Sequence, residues 1–222
     1  MSGFAIARQK MVDGQVRTSD VTDRRIIDAM LAVPREDFVP ESRRALAYLD
    51  LDLDVCEADA AVKRYLVKPQ LTAKLLQAAD IAAGDSVLVV GCATGYLAAL
   101  AAHLAGKVTA IESDATLVER GQAALAQAGI QNVTLKSAEL PQGDPANAPY
   151  DAIILNGATE IATETLCGQL KDGGRLVGVF AAARPPRAMV VTRSHGDCGS
   201  RVLFDAVAPT LPGFQRVPTF VF

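Results

Sequence analysis

Two glycines and one glutamate carry the clearest chemical signal in this chain. Ser86-Val87-Leu88-Val89-Val90 is an apolar, β-branched run that Gly91-Cys92-Ala93-Thr94-Gly95 interrupts with small residues. A second such run, Val108-Thr109-Ala110-Ile111, ends in Glu112. A strand, a tight turn, a helix and a second strand form a unit that can hold a nucleoside. Gly91 and Gly95 let backbone approach a ligand where a Cβ would intervene, although a tight turn alone also explains them. Glu112 stands about 20 residues on, the offset at which an acid reaches ribose hydroxyls; its plainer reading is a solvated strand end. Cys92 and Ala93 share the turn, and Ser113 follows the glutamate. Ala138 and Glu139 follow the next strand, where Glu139 could accept a hydrogen bond from an adenine amino group or be an exposed loop acid. Asn156 ends a strand at the sheet edge where ligands sit.

The elements that must position these residues alternate. Strands are expected near 86–90, 108–112, 132–136, 151–155 and 175–180, and helices near 95–105, 114–128 and 159–170. That order predicts an α/β fold with a mostly parallel central sheet and helices on both faces. Arg187–Arg193 and Arg201–Asp205 read as a C-terminal β-hairpin joined by a turn over 195–199. Upstream, apolar residues at helical spacing (Ile26, Ile27, Met30, Leu31) predict a helix that Asp20 or Thr22 caps. A short helix is expected around 42–48, a loop over 49–63, and a further helix opened by Pro69. The division is a helical N-terminal cap, 1–80, on a core of 81–222, together one structural domain.

Half of the 222 residues are hydrophobic, enough for a full core, and the net charge of -3 gives no basic face for nucleic acid. Cys56, Cys92, Cys167 and Cys198 are scattered without metal-ligand spacing, so neither a disulfide framework nor a metal site is expected and a reducing compartment is the default. Residues 1–14 lack the apolar stretch of a signal peptide, consistent with a cytoplasmic location. Ser86–Gly106 carries no Asp, Glu, Lys or Arg and has membrane-span length, but the glycine turn divides it into strand and helix, so no membrane association is expected. His103 and His195 have no acid or cysteine at motif spacing and read as structural. Oligomeric state is not legible.

Two cofactors compete for the turn. A dinucleotide calls for G-x-G-x-x-G, and the third glycine is absent here. The turn is more similar to that of S-adenosylmethionine-dependent methyltransferases. The rest of the chain narrows this. Met11-Val12-x-x-Gln15-Val16, Ala29-Met30-x-x-Val33-Pro34-Arg35-Glu36-x-Phe38-Val39-Pro40 and Ala47-Tyr48-x-Asp50 precede Gly91-x-x-x-Gly95-Tyr96. Asn132-Val133, Ala148-Pro149-Tyr150-Asp151-Ala152-Ile153 and Gln169-Leu170-x-x-Gly173-Gly174-Arg175-Leu176-Val177 follow. From about Met11 to Phe222 the chain resembles the protein-L-isoaspartate O-methyltransferases. The resemblance implies a Rossmann-like methyltransferase fold, S-adenosylmethionine as cofactor, and methylation of isoaspartyl carboxyls in proteins and peptides, a repair reaction.

Several pocket positions depart from that pattern. Val67, in Leu66-Val67-Lys68-Pro69, stands where the family places a serine facing the substrate carboxyl. Val89 replaces an acid before the glycine turn, Ala93 the turn's middle glycine, Glu139-Leu140 an Asp-Gly pair, and Ala162 a proline. A carboxylate is already ionised near neutral pH, so methyl transfer to it needs alignment and water exclusion rather than a strong base. Loss of the serine's bond would remove about 1–3 kcal/mol of recognition. Lys68 could compensate by pairing with the substrate carboxylate, or be a solvated helix-start lysine. Two alternatives stay open: another methyl acceptor with the same cofactor, or a non-catalytic methyltransferase-like binding module.

Overall fold

The structure is a computed structural model, and it describes residues 3–217. Its centre is a seven-stranded sheet in the order β5-β4-β3-β6-β7-β8-β9. The strands are β3 (Ser86–Val90), β4 (Lys107–Glu112), β5 (Val133–Ser137), β6 (Tyr150–Thr159), β7 (Leu170–Phe180), β8 (Arg187–Ser194) and β9 (Asp197–Asp205). β3 to β7 pair in parallel, and β8 and β9 add an antiparallel edge. Outside it, β1 (Leu53–Asp54) pairs antiparallel with β2 (Tyr65–Leu66). The helices are α1 (Gly3–Met11), α2 (Arg24–Ala32), α3 (Pro69–Ala79), α4 (Tyr96–Ala102), α5 (Ala115–Gln127) and α6 (Glu164–Cys167).

Period-two side-chain alternation gives the sheet two apolar faces. Val87 and Val89 join a cluster with residues of α2, α3, α4 and α5, while Leu88 and Val90 join a second with Leu140, Leu166, Leu211 and Phe214. The first cluster runs from Met11 to Val190, so the N-terminal helices share the core of the sheet. The cap also grips the glycine turn. Thr94 donates its hydroxyl to the Phe38 carbonyl, Phe38 packs edge-on against Tyr96 at 5.7 Å, and the Arg35 guanidinium lies 4.8 Å over the Tyr96 ring.

Four expectations need correction. The loop over 49–63 contains β1 and leads into β2; two residues per strand are too few to show a period. The helix expected over 159–170 is one turn, because β6 continues to Thr159 and the C-terminal segment bonds to it, Ala158 N–H donating to Pro209 at 2.8 Å and Leu211 N–H to Ala158 at 2.9 Å. The C-terminal hairpin turns on His195-Gly196 alone, both at positive φ, with longer strands than the composition implied. Cys167 and Cys198 form a disulfide, with Cα atoms 6.6 Å apart across a separation of 31 residues. Only the packing of α6 beside β8 and β9 brings them together, and the pairing removes the ground for a reducing compartment as default. Cys56 and Cys92 are free and buried. Among the described residues no helix is long and apolar enough to cross a membrane.

Candidate cofactor site

In an open α/β sheet the ligand crevice lies at the carboxyl ends of the strands, where the strand order reverses. Here that point lies between β3 and β6. Gly91 leaves β3 there, Glu112 closes β4, and Asn156 lies in β6. The turn is built on backbone bonds: Gly91 N–H and Cys92 N–H both donate to the Ile111 carbonyl (2.9 and 3.0 Å), and Gly95 N–H to Cys92 at 2.8 Å. Gly91, Ala93 and Gly95 have φ of 71°, 52° and 91°, so this turn requires left-handed backbone at alternate residues. Asn156 Nδ2 donates to the Gly91 carbonyl at 2.9 Å and clamps β6 to the turn.

Glu112 is fully buried. Its carboxylate accepts the Ala93 N–H at 2.7 Å, the Ser113 N–H at 2.8 Å and the Ser113 hydroxyl at 3.1 Å. Arg64 takes the remaining positions, Nε at 3.0 and 3.2 Å from the two oxygens and Nη2 at 2.9 Å from Oε2. Burial acts to raise the Glu112 pKa, but the Arg64 charge and the hydrogen bonds from Arg64, Ala93 and Ser113 outweigh it and hold the acid below its usual value. Arg64, 2% exposed, also donates from Nη2 to the Gly91 carbonyl at 2.8 Å.

The remaining candidates divide between the crevice and other parts of the fold. Cys92 is buried in the turn, and burial followed by the Glu112 charge pushes its thiol well up, away from reactivity. Ala138 N–H donates to the Glu112 carbonyl at 3.0 Å, which fixes the β5 end beside the acid. Glu139 is exposed, and Leu140 beneath it packs into the second apolar cluster. Val67 lies in the first cluster at 2% exposure; its carbonyl accepts from Arg35 at 3.1 Å and from the Thr72 hydroxyl at 3.0 Å. Lys68 starts α3, and its N–H donates to Asp52 at 2.9 Å. His103 caps the end of α4. The crevice thus brings together Gly91, Cys92, Ala93, Glu112, Ser113, Ala138 and Asn156.

Sequence reasoning missed Arg64 and Leu211. An Arg is almost never fully buried without a partner, but 48 residues separate Arg64 from Glu112, so no spacing rule could pair them. A Cβ placed on Gly91 would lie 2.5 Å from Leu211 Cδ2 and 2.8 Å from Arg64 Nη2. The face of the turn that should meet a ligand meets these side chains instead. A carboxylate has about four lone-pair positions, and the donors of Ala93, Ser113 and Arg64 occupy them all. In this arrangement Arg64 and Leu211 occupy the positions beside Glu112 and Gly91 that an adenosyl cofactor would take.

The scaffold is nonetheless a known one. Residues 7–198 match the family model of protein-L-isoaspartate(D-aspartate) O-methyltransferase. The chain is 36% identical over 197 residues to protein-L-isoaspartate O-methyltransferase 1 of Rhodopseudomonas palustris (strain HaA2), covering 88% of this chain and 78% of that protein. It is 41% identical over 170 residues to protein-L-isoaspartate O-methyltransferase 2 of Anaeromyxobacter sp. (strain Fw109-5), covering 77% and 68%. A solved protein-L-isoaspartate O-methyltransferase superposes with a TM-score of 0.82 at 25% identity over 93% of this chain and 66% of that one. A structure from Plasmodium falciparum, described as a putative enzyme of this kind in complex with S-adenosyl-L-homocysteine, shares the fold at 17% identity and a TM-score of 0.75, over 95% and 99% of the two chains. A chain matched over nearly nine-tenths of its length, with the cap, the glycine turn and the strand-end glutamate all in place, belongs to the protein-L-isoaspartate(D-aspartate) O-methyltransferase family.

Proposed function

We propose that this protein is an S-adenosylmethionine-dependent carboxyl O-methyltransferase that acts on isoaspartyl residues of damaged proteins and peptides. The observation that carries the reading is the retention of the family scaffold over residues 7–198, down to Glu112 at the carboxyl end of β4 beside the glycine turn. We assign the turn, 91–95, to the cofactor's backbone contacts and Glu112 to its ribose. Ser113, Ala138 and Glu139 are assigned to the adenine side, and Asn156 to the crevice floor. The cofactor would supply an electrophilic methyl group. The protein's part is to bind the acceptor carboxylate and exclude water. Neither task calls for a base. Residues 1–80 are proposed as the acceptor-side cap on the 81–222 core. A cytoplasmic location goes with this reading; the Cys167–Cys198 bridge, of a kind rare in cytosolic proteins, weighs against it.

Incubation with methyl-labelled S-adenosylmethionine and an isoaspartyl peptide tests the assignment. An alkali-labile methyl ester is expected, with no label on the aspartyl counterpart. Binding of S-adenosylhomocysteine without peptide labelling would move the acceptor elsewhere. A second reading, a scaffold that no longer turns over, is favoured by one observation, the closed Arg64–Glu112 pair. Absence of both binding and labelling would select it.

A further inference from the structure

The ion pair at the crevice has a consequence for ligand entry. Arg64 immediately precedes β2, at the edge of the two-stranded β1–β2 ladder that stands apart from the main sheet. Its backbone is tied only locally, with N–H to Cys56 Sγ at 3.0 Å and its carbonyl accepting from Val55 at 3.0 Å. Residues 57–63, the tip joining the two short strands, are mostly exposed. The guanidinium reaches inward from this small unit and makes bonds to Glu112 and the Gly91 carbonyl. These are the two groups that a ribose and a nucleoside backbone contact would need. Ribose hydroxyls and Arg64 cannot share Glu112, because its lone pairs are already assigned. Leu211 closes the same face from the C-terminal segment. Leu53, Val55, Cys56 and Leu66 are buried in the first cluster, whereas the exposed tip, 57–63, is tied to the core domain by the Glu57–Arg120 pair, so local opening falls on the tip and on Arg64 that ends it while the sheet stays folded.

We propose that Arg64 is a built-in competitor of the cofactor: its guanidinium fills the ribose seat on Glu112, and S-adenosylmethionine binds only when the 57–64 segment withdraws it. This rests on the cofactor reading above. The apparent affinity of wild type is then reduced by the fraction of molecules that are open. For a gap of a few kcal/mol between closed and open forms, about 0.1–10% of molecules are open.

Isothermal titration with S-adenosylhomocysteine separates the possibilities. Arg64→Ala should bind at least about tenfold more tightly than wild type, the reciprocal of that open fraction. Leu211→Ala, which leaves the ion pair intact, should gain less, and it keeps the test usable if Arg64→Ala folds poorly. In wild type the ligand should accelerate amide exchange in residues 57–64 while slowing it at Ala93 and Ser113. Wild-type binding with no gain in a folded Arg64→Ala, or with unchanged or slower exchange in 57–64, overturns the competitor and leaves the methyltransferase reading standing. Flat titrations for all three folded chains overturn both.

Discussion

The buried pair makes a strong prediction about stability. Glu112→Gln preserves shape but removes the charge opposite a guanidinium that is 2% exposed. Breaking a buried ion pair from one side costs about 3–5 kcal/mol, because the remaining charge is left unpaired in a medium that solvates it poorly. For a chain of this size each kcal/mol lowers Tm by about 2–4 °C, so Glu112→Gln should melt about 6–20 °C below wild type. Arg64→Met should lose less, because the Glu112 carboxylate keeps the Ala93 and Ser113 donors. The double variant should be more stable than the sum of the singles by about 2 kcal/mol or more, since neither charge then remains to be stranded. Urea unfolding followed by circular dichroism, at constant m-value, measures all four corners of this cycle. A Glu112→Gln variant within about 1 kcal/mol of wild type would show that the pair is solvated or unformed, and the argument from crevice closure would go with it.

Four further outcomes are expected. Because Glu112 has a depressed folded pKa, its contribution is complete above the unfolded value of about 4.3 and is lost as pH falls through the lower folded value. The stability gap between wild type and Glu112→Gln should therefore be level above about pH 5 and narrow below pH 4; a gap independent of pH would refute the assignment. Gly91→Ala should cost more than about 1 kcal/mol, since a Cβ there must adopt φ of 71° and displace Leu211; neutral unfolding data would contradict the crowding. Val67→Ser should lose about 1–3 kcal/mol by placing a hydroxyl in the apolar cluster, and should raise isoaspartyl methylation only if the position faces substrate; unaltered stability would place it outside the core. Reduction of Cys167–Cys198 should lower stability by about 3–4 kcal/mol in the chain-entropy account, checked by melting with and without dithiothreitol; quantitative alkylation of both native thiols would deny the bridge.

The sequence by itself determined what local rules govern. The β-branched run 86–90, the small-residue turn and the apolar run ending in Glu112 specify strand, turn and strand wherever the chain packs them. The helix expected near 114–128 is likewise present over 115–127, where the structure shows Asp114 capping it. Pairings between distant segments carry no such signature. Extension of β6 to Thr159 depends on hydrogen bonds with residues 209–211, and the disulfide on the packing of α6 beside the terminal hairpin. Tertiary structure alone decided the state of the crevice. Glu112 reads as a ribose acid from its place in the chain, but which donor it accepts depends on what the fold carries to it through space. Here the β1–β2 unit carries Arg64, and the low dielectric of a fully buried site leaves that carboxylate dependent on a counter-charge.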